Sequence, residues 1–138
     1  MPTATTPHRA RLRGERGSAT VELAILFPAL LLLVTALVQY GLWFHARSIA
    51  LAAAQEGVAA ARTYNAPRSD GPGVALGFVD QHGGGTLLSA TAILTTPGAG
   101  QVEIVVSGRA LSVIPGVGGA TVRQSAAGPI ERFTQAQP

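Results

Sequence analysis

Hydrophobic positions recur along this chain in three rhythms, and each predicts a different element. From Leu23 to Phe44 the sequence LAILFPALLLLVTALVQYGLWF runs for 22 residues without a charge. At about 1.5 Å per residue this is roughly 33 Å of helix, against a hydrocarbon core of roughly 30 Å. A helix that is apolar on every side belongs in lipid or deep inside a large protein, and nothing else in the 138 residues is able to surround it. The pattern therefore predicts a transmembrane helix. Leu23, Phe27 and Leu32 are expected to face lipid. Pro28 is expected to produce a tolerated kink. Tyr40 and Trp43 lie at the far end, where amphipathic rings settle among headgroups.

From His45 to Arg62 the rhythm becomes that of an Ala-rich amphipathic helix. Ser48, Gln55 and Arg62 recur every seven residues as a polar stripe, while Ala46, Ile49, Ala53, Gly57 and Ala60 follow one another at spacings of three and four. Ala53, Gly57 and Ala61 form a row of small residues, which allows another backbone to come close. With no Pro in this stretch, one helix is expected from about Thr20 to Arg62, roughly 65 Å long at 1.5 Å per residue.

Beyond it, Tyr64–Gly73 (YNAPRSDGPG) reads as a breaker-rich linker. Val74–His82 reads as a short helix closed by Gly83–Gly85. The period then falls to two. Leu87–Leu94 and Val102–Ser107 are expected to form a hairpin across Thr96–Gly100, with Val102, Ile104 and Val106 on one face and Glu103, Val105 and Ser107 on the other. After turn chemistry at Ile114-Pro115-Gly116 and Gly118-Gly119, Ala120–Ala126 is expected as a third strand with Thr121, Arg123 and Ser125 on its wet face. Ile130 and Phe133 are expected to pack back on the sheet from a polar tail. The predicted class is a membrane-anchored α+β chain: a long N-terminal helix, a short helix and a small antiparallel sheet of about three strands. Its segments are a leader at 1–17, a transmembrane helix at 18–44, a helical extension at 45–63, a linker with the short helix at 64–85, a β domain at 86–127 and a tail at 128–138. So small a domain buries little area and is expected to be marginal alone.

Charge sharpens this picture. The pI near 10.6 would fit a nucleic-acid binder, but four of the ten Arg (Arg9, Arg11, Arg13, Arg16) precede Ser18, and the remainder balances at six Arg against six acids. No basic stripe with interleaved aromatics is visible, so no nucleic-acid partner is expected. A basic tract flanking an apolar helix instead sets orientation: the N-terminus in the cytoplasm, the C-terminal domain outside it. The chain has no Cys, which excludes disulfides, thiolate metal sites and a Cys nucleophile. His8, His45 and His82 have no metal spacing. No Ser lies in a Gly-x-Ser-x-Gly setting, and Gly83–Gly85 lacks the Lys and Ser/Thr of a phosphate loop. No enzyme activity, cofactor, metal or small-molecule substrate is expected.

The junction Arg16-Gly17-Ser18-Ala19-Thr20-Val21-Glu22 carries the functional signal. A basic leader, a Gly and, five residues on, an acid at the membrane edge resemble the class III signal peptides cut by prepilin peptidases. Independently, Ser18 and Glu22 are one helical turn apart and share a face. A carboxylate entering hydrocarbon costs a few kcal/mol at the bilayer centre and less near the edge, so Glu22 needs a positive partner. A conventional secretory signal fits less well, because its apolar region spans about 7–15 residues.

Taken with the Phe27-Pro28 step and Ala53-Ala54-Gln55-Glu56-Gly57, residues from about Gly14 to Arg62 resemble TadE-like proteins, pseudopilins of tight-adherence (Flp, type IVc) pilus systems. The resemblance implies cleavage between Gly17 and Ser18, with Glu22 as the fifth mature residue pairing with the N-terminus of a neighbouring subunit. It further implies retention of the apolar helix in the cytoplasmic membrane or in a pilus. The implied partners are the prepilin peptidase, other pilins and pseudopilins, and Tad inner-membrane platform proteins. The strand domain departs from the much shorter major pilins and points to a minor component. The competing reading is an uncleaved single-pass anchor that presents a small extracytoplasmic binding domain to another membrane complex.

Overall fold

The computed structural model describes residues 14–63 and 65–130. The expectations for the first 13 residues, for Tyr64 and for the tail beyond Ile130, Phe133 included, lie outside the described residues. Five elements follow in order: α1 (Gly14–Arg62), α2 (Asp70–His82), β1 (Leu87–Thr95), β2 (Gln101–Ala110) and β3 (Thr121–Pro129). The strands form one antiparallel sheet in the order β1-β2-β3. The fold is thus α+β with one long apolar N-terminal helix. Contacts divide the chain into two compact units, one ending at Ala36 and one beginning at Leu37, and α1 contributes to both.

In the first unit the apolar side chains of α1 are exposed. Val21, Ile25, Phe27 and Leu32 are all exposed, Leu32 at 71 %. The helix assignment runs through Pro28, whose missing N–H removes one backbone hydrogen bond. Thr35 donates to the Leu31 carbonyl at 2.8 Å, so its hydroxyl is satisfied within the helix.

The second unit builds its core from the far half of α1. Ala46, Ala50, Ala53, Ala54, Val58 and Ala61 are buried against Ala75 and Val79 of α2 and against Val102, Ile104, Val106 and Val122 of the sheet. Helix packing distance depends on the side chains at the contact, and here small residues bring the elements very close. A Cβ on Gly57 would lie 2.8 Å from the carbonyl oxygen of Gly71, 3.0 Å from Ala75 Cβ and 3.1 Å from Ile104 Cγ2. The relation is reciprocal, because a Cβ on Gly71 would lie 2.8 Å from the carbonyl oxygen of Gly57 and 2.9 Å from Ala61 Cβ. α1 and α2 therefore touch through backbone at this crossing.

That crossing explains where the observed elements depart from expectation. α2 starts at Asp70, four residues earlier than the pattern predicts, and takes in Gly71, Pro72 and Gly73 from the expected linker. The first turn of a helix has no intrahelical partners for its N–H groups, so Pro72 costs little there. Elsewhere in α2, a Cβ added at Gly77 would meet nothing within 4 Å. Gly77→Ala is expected to stabilise by about 0.5–1 kcal/mol through helix propensity. That corresponds to a rise in Tm of about 2–8 °C for a unit of this size, measurable by thermal unfolding of the reconstituted chain.

The alternation in β2 is as the sequence predicts, with Val102, Ile104 and Val106 buried on the inner face. Val105, on the opposite face, is buried as well, because the central strand places it between Ile93 of β1 and Ser125 of β3. Strand ends extend past the predicted limits, to Thr95, Ala110 and Pro129. β1 carries an irregularity between Leu88 and Thr91, with Ser89 at a φ of 51°. Thr121, Arg123 and Ser125 are exposed, and Ile130 packs against the core.

Candidate functional site

Within the first unit, Gly17 and Glu22 both lie in α1 and both are exposed. Among the described residues outside its own helix turn, nothing lies within 4 Å of a Cβ position at Gly17. Ser18 and Glu22 are one turn apart on the same helix. From Ala19 onward the helix is long and apolar enough to cross a membrane, and its most apolar window is wholly unburied. Leu23, Phe27, Pro28 and Leu32, the positions expected to anchor the chain, are exposed.

In the second unit, the end of the apolar run is an aromatic cluster. The rings of Tyr40 and Trp43 lie 5.9 Å apart, and those of Tyr40 and Phe44 6.5 Å apart. The guanidinium of Arg47 sits 5.7 Å from the Trp43 ring centroid, within the range of a cation–π contact. Trp43 is half-buried against the core, whereas Tyr40 is exposed. Such a group suits a boundary between an apolar and a wet phase.

A family model described as TadE-like protein matches residues 17–59. Residues 17–59 resemble TadE-like proteins. The match begins at the Gly of the junction, runs through the apolar helix and ends two residues past Gly57. The match covers about a third of the chain. No curated protein and no solved structure matches the chain.

The C-terminal part of the TadE-like segment carries the small residues of α1. Ala46, Ala53 and Gly57 are buried, as is Ala61 just beyond the match, while Ile49 and Ala60 are half-buried. Their neighbours in the structure belong to the same chain, namely α2 and the inner face of the sheet. The polar stripe of Ser48, Gln55 and Arg62 is exposed, as is Glu56.

Two participants are not visible to sequence reasoning. Gly71 meets Gly57 across the helix crossing, yet it sits in a stretch of breakers that looks like a linker. Gln39 bonds across the unit: its side-chain amide donates to the Leu111 carbonyl at 3.2 Å, and its Oε1 accepts from Val113 N–H at 3.0 Å. An amide inside a charge-free apolar run was the available signal for that role.

A groove of about 370 Å³ between α1 and β3 is lined by Leu51, Gln55, Val58, Arg62 and Ser125 among others. Among the described residues Arg62 is its single charged group, so no acid–base pair of described residues converges there. No group of three or more metal-ligating side chains is found among the described residues.

Proposed function

We propose that this chain is a minor pseudopilin of a Tad (Flp-type) pilus system, made as a prepilin and cut by a prepilin peptidase between Gly17 and Ser18. The observation that carries this reading is the junction itself. An open Gly lies just over one turn before an exposed acid, at the head of an exposed apolar helix, and the TadE-like match begins on that Gly. Cleavage frees the α-amino group of Ser18 on the face that bears Glu22. The amine of one subunit then supplies the positive partner that the Glu22 carboxylate of another needs at the membrane edge. A single polar pairing of this kind sets axial register, as a buried polar position does in a coiled coil.

In this reading Leu23–Phe44 spans the cytoplasmic membrane. The four Arg of the leader hold the N-terminus in the cytoplasm, against Arg47 and Arg62 on the other side. The second unit stands outside the cytoplasm. Because the Ala and Gly face of α1 is covered within that unit, contacts with other pilins and with the platform proteins fall to the exposed residues between Val21 and Leu37.

Intact-mass and N-terminal analysis of the membrane-fraction protein tests the proposal. Ser18 is the expected first residue. A chain that starts at Met1 or Pro2 supports the uncleaved single-pass anchor instead, and one that starts beyond Phe44 rejects both.

A further inference from the structure

The segment between β2 and β3 has a composition unsuited to water. Residues 110–122 (ALSVIPGVGGATV) carry no charge and are bracketed by Arg109 and Arg123. Leu111, Val113, Ile114 and Val117 are all exposed, Val117 at 54 %. Single exposed apolar residues are ordinary, but four in one loop are a patch that calls for an occupant.

The two bonds from Gln39 fix the position of that loop. Gln39 lies five residues before the end of the charge-free run at Phe44, about 8 Å along the helix at 1.5 Å per residue. Interfacial segments bury their apolar face about 5–10 Å into the boundary between headgroups and acyl chains. The loop is therefore pinned at a level of α1 that is already inside the membrane boundary if the apolar run spans the bilayer. Its backbone is also prepared for a dry phase. Leu111 N–H donates to Thr86 O at 2.9 Å and Ala110 N–H to Ala120 O at 2.9 Å. Ile114 N–H donates to Ser112 Oγ at 3.2 Å. Pro115 and Gly116, the latter at a φ of 76°, form a type II turn closed by Val117 N–H to Ile114 O at 3.2 Å. Unsatisfied backbone groups are what exclude irregular loops from lipid, and here many of them are bonded internally.

We propose that the Leu111–Val117 loop inserts into the leaflet at the C-terminal end of the span as a second membrane anchor, with Arg109 and Arg123 directed to lipid phosphates. The occupant of the patch is lipid, because the loop is bonded to Gln39 inside the apolar run and because both flanking Arg are exposed on neighbouring strands. Long Arg side chains reach headgroup level from beside an apolar surface. The inference rests on the spanning reading of Leu23–Phe44. It adds that the second unit lies against the membrane and does not project freely from it.

The natural absence of Cys allows single-site labelling of exposed positions. Val117→Cys, Ala99→Cys in the β1–β2 turn and Leu30→Cys in the span are each coupled to the environment-sensitive fluorophore NBD. The full chain is reconstituted in phosphatidylcholine–phosphatidylglycerol vesicles, and quenching by nitroxide-labelled lipid is compared with quenching by aqueous iodide. The label at 117 is expected to be quenched several-fold more by shallow lipid nitroxide than the label at 99, with the reverse order for iodide. An iodide-quenched label at 117 beside a lipid-quenched label at 30 overturns the loop proposal alone. Iodide quenching at both overturns the spanning reading and this proposal together. Protection of 117 from both quenchers means that protein covers the loop, and this also overturns the proposal.

Discussion

Gly57→Val is expected to destabilise strongly the unit that begins at Leu37 while leaving the apolar half of α1 helical. The new Cβ would sit 2.8 Å from the Gly71 carbonyl oxygen, which is backbone and has no rotamer through which to move away. Ala75 Cβ and Ile104 Cγ2 close the remaining directions at 3.0 and 3.1 Å. Overpacking a core by added methylenes costs about 1–3 kcal/mol. Valine adds two methyl groups beyond the offending Cβ, so the loss is expected to exceed about 3 kcal/mol, a large share of the roughly 5–15 kcal/mol that holds a domain together. Tm should then fall by more than about 12 °C. Trp43, the single Trp of the chain, packs against this core and reports the transition by fluorescence. Gly57→Ala gains about 1 kcal/mol in helix propensity but still meets the carbonyl, so a smaller net loss is expected. A melting midpoint unchanged in Gly57→Val would show that the two helices do not touch at Gly57 and Gly71.

Glu22→Ala is expected to insert as well as the parent chain and to fail at assembly. Removing a carboxylate from the membrane edge relieves a desolvation cost, so the yield in the membrane fraction should hold or rise. In the proposed pseudopilin the same change removes the partner of the amine that processing would expose. A hydrogen bond to a charged group is worth about 1.5–3 kcal/mol, so recovery in the sheared pilus fraction relative to the membrane fraction should drop about ten- to a hundredfold. Glu22→Gln keeps size and loses charge, and it should behave like the Ala variant if charge pairing is what matters. Equal recovery of all three proteins would remove Glu22 from any register role.

Much of this architecture is legible in the residues because strong periodicities are local. The unbroken run from Leu23 to Phe44 and the alternation of Val102, Ile104 and Val106 each follow from one element satisfying its own surroundings. The misplaced start of α2 has the opposite origin. Asp70-Gly71-Pro72-Gly73 reads as breakers because local propensity disfavours a helix there, and the helix forms because Gly71 packs on Gly57, fourteen residues away in sequence. Gln39 shows the same limit. Its amide is conspicuous in an apolar run, but its partners Leu111 and Val113 lie more than seventy residues on, beyond any periodicity. The candidate site divides similarly: Gly17, Ser18 and Glu22 are a contiguous signal, whereas the covering of Ala53, Gly57 and Ala61 by the chain's own sheet and second helix emerges from the packing.

The core of the second unit includes one wall, Ala46 to Ala61, supplied by the same helix that enters the apolar run. If that run spans a bilayer, this shared wall dictates a sequence of events in biogenesis. The β-rich portion completes its interior only on the side of the bilayer where Ala46–Ala61 lies. In the proposed orientation that side is outside the cytoplasm, so tertiary structure is acquired there, after the chain has crossed.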